Sequence, residues 1–184
     1  MKTISRKMIR ANLPYIGIPV IMAAFFIIHA NIMDMFLLLS NSLILLFGYI
    51  AAINDLKTKR IPNGLMMMML AAWIIIMAPK IIFDTNDAIF LLQESVLGLV
   101  VGGGLFLLVY LISRKGLGGG DVKFMSCAGL FLGLGGVIPV MLFGTVLAAL
   151  TGLALILLKK IGRTDKIPLV PFLYIGMLLV IIAL

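Results

Sequence analysis

Long apolar runs separated by short polar stretches fill the chain, and seven can be marked. They are roughly Leu13–Ala30, Met35–Asn54, Ile61–Ala78, Ala88–Ile112, Asp121–Leu134, Gly136–Leu158 and Ile167–Leu184. About 20 apolar residues cross a hydrocarbon core, so the pattern predicts an all-α, polytopic membrane fold with seven transmembrane helices. The fifth run is short: at 1.5 Å per residue it reaches about 21 Å against a core of about 30 Å. Because Gly129–Gly136 is rich in glycine, the fifth and sixth runs predict a tight helical hairpin rather than one long helix.

Composition agrees. Of 184 residues, 63% are hydrophobic and 12% charged, with a mean hydropathy of +1.25, whereas soluble domains are about 45–50% apolar and roughly 25% charged. Disorder and an ordinary water-soluble globule are excluded. Seven spans use roughly 140 residues, which leaves only short loops and tails. The lone cysteine, Cys127, excludes an intramolecular disulfide and a cysteine-cluster zinc site. Met66–Met69 reads as flexible apolar filler rather than a copper site. There is no internal repeat.

The net charge of +8 raises nucleic acid as a partner, but the distribution points to the membrane instead. Lys2, Arg6, Lys7 and Arg10 precede the first run; Lys57, Lys59 and Arg60 lie between the second and third. Arg114, Lys115 and Lys123 lie between or beside the fourth and fifth, and Lys159, Lys160, Arg163 and Lys166 between the sixth and seventh. Fourteen of fifteen basic residues therefore share one side, with Lys80 alone on the other. The positive-inside rule then expects a cytoplasmic N-terminus and an outer C-terminus. A basic tail before an apolar run also resembles a signal peptide. No small-x-small cleavage site follows it, and the first run is expected to stay.

Seven acidic residues remain to be assigned. Asp34, Asp84 and Asp87 are expected in outer loops as caps and turn residues, and Asp165 balances the charge of Lys160, Arg163 and Lys166. Asp84-Thr85-Asn86 lacks the glycine and the second copy of a soluble aspartic protease motif. Glu94, beside Gln93 inside the fourth run, is either a relay group or a hydrogen-bonded interhelical contact. Asp55 ends the second run and Asp121 starts the fifth, 66 positions apart yet on the same, cytoplasmic side. Carboxylates a few Å apart cannot both ionise freely and share a proton. One can then activate water while the other protonates a carbonyl oxygen. Topology alone leaves hydrolysis and proton or ion transport both open.

The neighbouring residues decide between them. The first aspartate opens Asp55-Leu56-Lys57-Thr58-Lys59-Arg60-Ile61-Pro62-Asn63, where Pro62 suits the start of a helix. The second closes Gly118-Gly119-Gly120-Asp121, with Lys123 two residues on. Glycines there would let an extended peptide lie against the backbone. These segments, with Ile167-Pro168-Leu169-Val170-Pro171-Phe172 at the start of the last helix, resemble the type IV prepilin peptidase family of GxGD intramembrane aspartic proteases, which includes archaeal preflagellin peptidases.

The resemblance runs from about Met35 to the C-terminus. It implies residues 1–34 as a basic tail plus an extra helix and residues 35–184 as a six-helix aspartic peptidase core. It implies Asp55 and Asp121 as the catalytic pair, Gly118 and Gly120 as the two fixed glycines, and Gly119 as the variable one. The implied substrate is a prepilin-like protein that loses a short basic leader at the cytoplasmic membrane face. Lys57, Lys59, Arg60 or Lys123, with Pro62 and Asn63 nearby, would shape the site and meet an acidic residue just after the cleavage point; otherwise these cations hold anionic lipid headgroups. Long members of the family carry a cytoplasmic zinc domain and N-methylate the product. Here the first two runs join near Asn31–Asp34 and the cysteines are missing, so a minimal peptidase without zinc, cofactor or methyl transfer is expected. Its oligomeric state is not legible.

Competing functions fit less well. A transporter using Asp55, Asp121 and Glu94 does not explain the glycine and Pro-Asn neighbours. A presenilin-like protease would carry a Pro-Ala-Leu segment. Zinc and serine intramembrane proteases need His-Glu-x-x-His or a Gly-x-Ser nucleophile, and the single histidine, His29, lies at the outer face. Gly102–Gly104 is expected to permit close, mobile helix packing.

Overall fold

The computed structural model describes residues 34–113, 117–160, 162 and 167–183. The first apolar run, the signal-peptide question, His29, and Arg114, Lys115, Arg163, Asp165 and Lys166 lie outside the described residues. Those described form five helical elements and no strand: α1 Met35–Thr58, α2 Asn63–Phe83, α3 Thr85–Ile112, α4 Gly119–Leu157 and α5 Val170–Ala183. Four of them, α1 to α4, are long and apolar enough to cross a membrane, and the chain is a multi-pass membrane protein. The expected number of seven is not reached among these residues. The first run is outside them, the fifth and sixth share one element, and α5 has 14 residues.

Element α4 is two helical arms joined at Gly133, whose φ of 64° and ψ of −177° interrupt the helix. Only glycine adopts that conformation readily. The arms run back along each other, because a Cβ built on Gly102 of α3 would meet Met125 O at 2.7 Å and Val137 Cγ2 at 2.9 Å. In a straight helix those two residues would be about 18 Å apart. The expected hairpin is therefore present, with its bend at one glycine. Along the same seam the backbones of Gly98 and Gly129 touch, leaving no room for a Cβ on either. Small residues allow such close approach where apolar area gives no drive for association in lipid.

Helix α1 is the most enclosed of the four long helices. Its Ser40 Oγ donates to Phe131 O at 3.3 Å, Phe47 packs at a tilt on Phe131, and Tyr49 meets Tyr174 of α5 edge to face. Helix α5 fills the gap between α1 and the second arm of α4, with Leu173 and Met177 fully buried. Outward faces carry Ile75, Ile82, Leu111, Leu157 and other large apolar side chains, as a lipid-facing surface should. Within Met66–Met69, Met66 and Met69 are core and Met67 and Met68 face outward.

Three boundaries differ from the sequence reading. Helix α2 runs through Pro79 to Phe83, which membrane helices tolerate because neighbours re-satisfy the freed carbonyl. Only Asp84 separates α2 from α3, so Asp87 lies in a first helical turn instead of a loop. Pro62 is the N-cap of α2 rather than its first helical residue. Asp34, Asp84 and Asp87 converge on Lys80 at 3.7, 3.2 and 3.6 Å. The hydrogen bond from Lys80 holds the Asp84 carboxyl below the usual carboxylate range. This ion cluster ties the start of α1 to the α2–α3 turn.

Candidate active site

Asp55 lies in the last turn of α1 and is 6% exposed; Asp121 lies in the first turn of α4 and is 9% exposed. Along α1, Asp55 is about 30 Å from the ion cluster, the thickness of a hydrocarbon core. Each carboxylate is held by a backbone N–H. Asp55 Oδ2 accepts from Val170 N at 3.1 Å, across 115 positions of sequence. Asp121 Oδ2 accepts from Gly118 N at 3.1 Å, while the Asp121 N–H returns a bond of 3.1 Å to Gly118 O. This reciprocal turn fixes Asp121 from within its own helix start, in the manner of a capping box.

Two cavities, about 290 and 300 Å³, flank the aspartates. Asp55, Lys59, Gly118 and Asp121 line both. One is closed by Leu117, Ala148, Ile167, Pro168 and Leu169, an apolar wall. The other is closed by Arg60, Ile61, Asn63, Gly119, Gly120 and Lys123, which is polar and cationic. The residues can therefore hold an extended chain across two buried carboxylates, with different chemistry on either side.

The glycines divide by what a side chain would meet. A Cβ on Gly118 would sit 2.9 Å from Asp121 Oδ2, and one on Gly120 would press on Ile61 at 3.4 Å. A Cβ on Gly119 has nothing within 4 Å. Lys123 Nζ donates to Asn63 Oδ1 at 3.2 Å, linking the Gly-Gly-Gly-Asp turn to the Ile-Pro-Asn segment.

Of the residues expected in the site, Asp55, Asp121, Gly118, Gly120, Arg60, Asn63 and Lys123 come together. Lys57 and Pro62 line neither cavity: Lys57 is exposed on the last turn of α1, and Pro62 is spent on starting α2. Leu117, Ala148 and 167–169 line the cavities without having been expected there, and Lys59, expected only as one of four cations near the site, lines both. Lys59 takes a left-handed φ of 51° at the end of α1, its N–H bonded to Asp55 O at 2.8 Å, and this turn puts it beside Asp55. A lysine in that role carries no turn signal in sequence. The signal for 167–169 was present, in Ile167-Pro168-Leu169-Val170-Pro171-Phe172. Glu94 belongs elsewhere: its Oε2 accepts the Leu134 N–H at 3.1 Å, next to the bend at Gly133. Asp121 is about 18 Å away along the first arm of α4.

The sequence profile of the type IV leader peptidase family matches residues 42–153, more than half of the chain. A prepilin leader peptidase/N-methyltransferase of Bacillus subtilis is 25% identical over 130 residues, which cover 71% of this chain and 50% of that protein. The chain thus spans about half the length of this curated relative. No solved structure matches.

Proposed function

This chain belongs to the type IV leader peptidase family, and we propose that it is an aspartic endopeptidase in which Asp55 and Asp121 cleave the leader from prepilin-like precursors. One observation carries the reading. Two aspartates far apart in sequence are buried together, each on a backbone N–H, between cavities that both of them line.

The chemistry follows from a carboxylate pair sharing one proton. The ionised member takes a proton from water as its oxygen attacks the scissile carbonyl carbon, and the protonated member gives its proton to the carbonyl oxygen. Collapse of the gem-diol breaks the C–N bond, and a carboxyl proton goes to the leaving amine. No metal or cofactor enters these steps. Gly118 and Gly120 keep the approach open for extended backbone, and Lys123, Arg60 and Lys59 face the cavity where an acidic substrate side chain would be read.

In this reading the site opens at the cytoplasmic face, with the peptidase core beginning at about residue 35. Methyl transfer is not part of the activity. Methyl-donor incubation with cleaved pilin should leave the new N-terminus unmodified, and robust methylation would refute that part. The main test mixes a prepilin from the same organism with membranes bearing wild type, Asp55→Asn or Asp121→Asn at matched expression. Leader loss should occur only with wild type. Cleavage surviving in both variants refutes the aspartic assignment.

A further inference from the structure

Residues 167–170 lie beyond the stretch that the family profile matches, yet they reach the centre of the site. Val170 N–H bonds Asp55 Oδ2 at 3.1 Å in a buried setting, and the Leu169 N–H also bears on that carboxylate. Building on the aspartic reading above, we propose that this segment is a positioning element, in which the Val170 N–H fixes the orientation of Asp55 for catalysis.

The local sequence restricts which donor can do this. The first N–H groups of a helix have no partner within it. Pro168 and Pro171 have no N–H to offer, and Phe172 and Leu173 give theirs to Leu169 O at 3.0 and 3.2 Å. The Val170 and Leu169 N–H groups are thereby left to the carboxylate, with the Val170 bond at 3.1 Å in a buried setting. Ile167, Pro168 and Leu169 meanwhile form the apolar wall of one cavity, so a single segment sets both the carboxylate and the surface beside it. A catalytic group works only when its support holds it to within about half an ångström.

The test uses full-length enzyme in membranes with three changes at position 170. Val170→Ala keeps the donor. Val170→Pro removes it, and proline is compatible with a first helical position. Cell-free incorporation of the 2-hydroxy analogue of valine replaces the N–H by oxygen and keeps the side chain. We expect the proline and ester variants to lose about tenfold or more in kcat with KM within about twofold, and Val170→Ala, which trims a fully buried side chain but keeps the donor, to lose clearly less than either. The proposal is overturned if the ester variant turns over at wild-type kcat, if Val170→Ala loses as much, or if the loss lies in KM. Where Val170→Pro fails to accumulate, the ester variant decides. Asp55→Asn is assayed alongside. If it still cleaves, the aspartic reading itself fails; if it is dead while the ester variant is normal, only the positioning role fails.

Discussion

Replacing Gly118 by alanine tests the geometry of Asp121 without touching its chemistry. The backbone at 118, φ −77° and ψ 138°, suits alanine, so the added methyl is the whole perturbation. That methyl would lie 2.9 Å from Asp121 Oδ2, about half an ångström inside ordinary contact. The turn is tight, closed by two bonds of 3.1 Å between residues 118 and 121, so the carboxylate must yield. A displacement of about 1 Å at a reacting group costs up to about a hundredfold. A half-ångström shift predicts a fall in kcat of roughly tenfold, about 1.4 kcal/mol of transition-state stabilisation. The assay is leader release from a prepilin in membranes, with enzyme amounts matched by immunoblot. Gly119→Ala is the internal control, since nothing lies within 4 Å of its Cβ, and it should stay within about twofold of wild type. Wild-type turnover by Gly118→Ala, or an equal loss in Gly119→Ala, would refute the argument.

Three other outcomes are expected. Gly98→Ala drives a methyl into the Gly129 and Gly133 backbone, which cannot swing aside, so melting in detergent should show a loss at or above about 1–3 kcal/mol; Gly104→Ala, with open space around it, should melt as wild type. Glu94→Leu strips the acceptor from Leu134 N–H and should cost about 1–3 kcal/mol, while Glu94→Gln keeps an acceptor and should melt and cleave normally; a relay role would make the glutamine variant inactive. Lys123→Ala should slow cleavage several-fold at limiting substrate, and removing the acidic residue after the substrate's cleavage point should abolish the difference between variant and wild type, as a double-mutant cycle would read.

The parts of the structure governed by apolar run length were legible in the chain. Six of the seven runs reappear as helical segments, because a span's length is set by the membrane rather than by tertiary detail. The hairpin was legible for the same reason: 14 residues are too few to cross. Which glycine makes the bend was not, since Gly129, Gly133, Gly135 and Gly136 look alike until the packing against α3 selects one. Asp55 and Asp121 stood out through their flanking residues. Lys59 was legible only as one of four nearby cations, because its place beside Asp55 depends on a left-handed turn that lysine rarely takes. The contact between Val170 and Asp55 spans 115 positions and its donor is a backbone N–H, so the identity of residue 170 does not announce it.

The short arm also explains why an acid stands in α3 at all. An arm of about 21 Å cannot reach across a core of about 30 Å, so the bend at Gly133 falls at membrane depth. Breaking the helix there frees N–H groups where no water can pair them, at several kcal/mol each. Glu94 takes one of these, the Leu134 N–H at 3.1 Å, and the Gly98–Gly129 contact brings its helix close enough to do so. An intramembrane carboxylate is by default read as functional, but this one completes the backbone of a bend. That bend in turn fixes how far the first arm of α4 extends toward the face where Asp121 meets Asp55. The depth of the aspartates thus depends on an arm too short to span, and the acid at its far end is what allows that arm to stop.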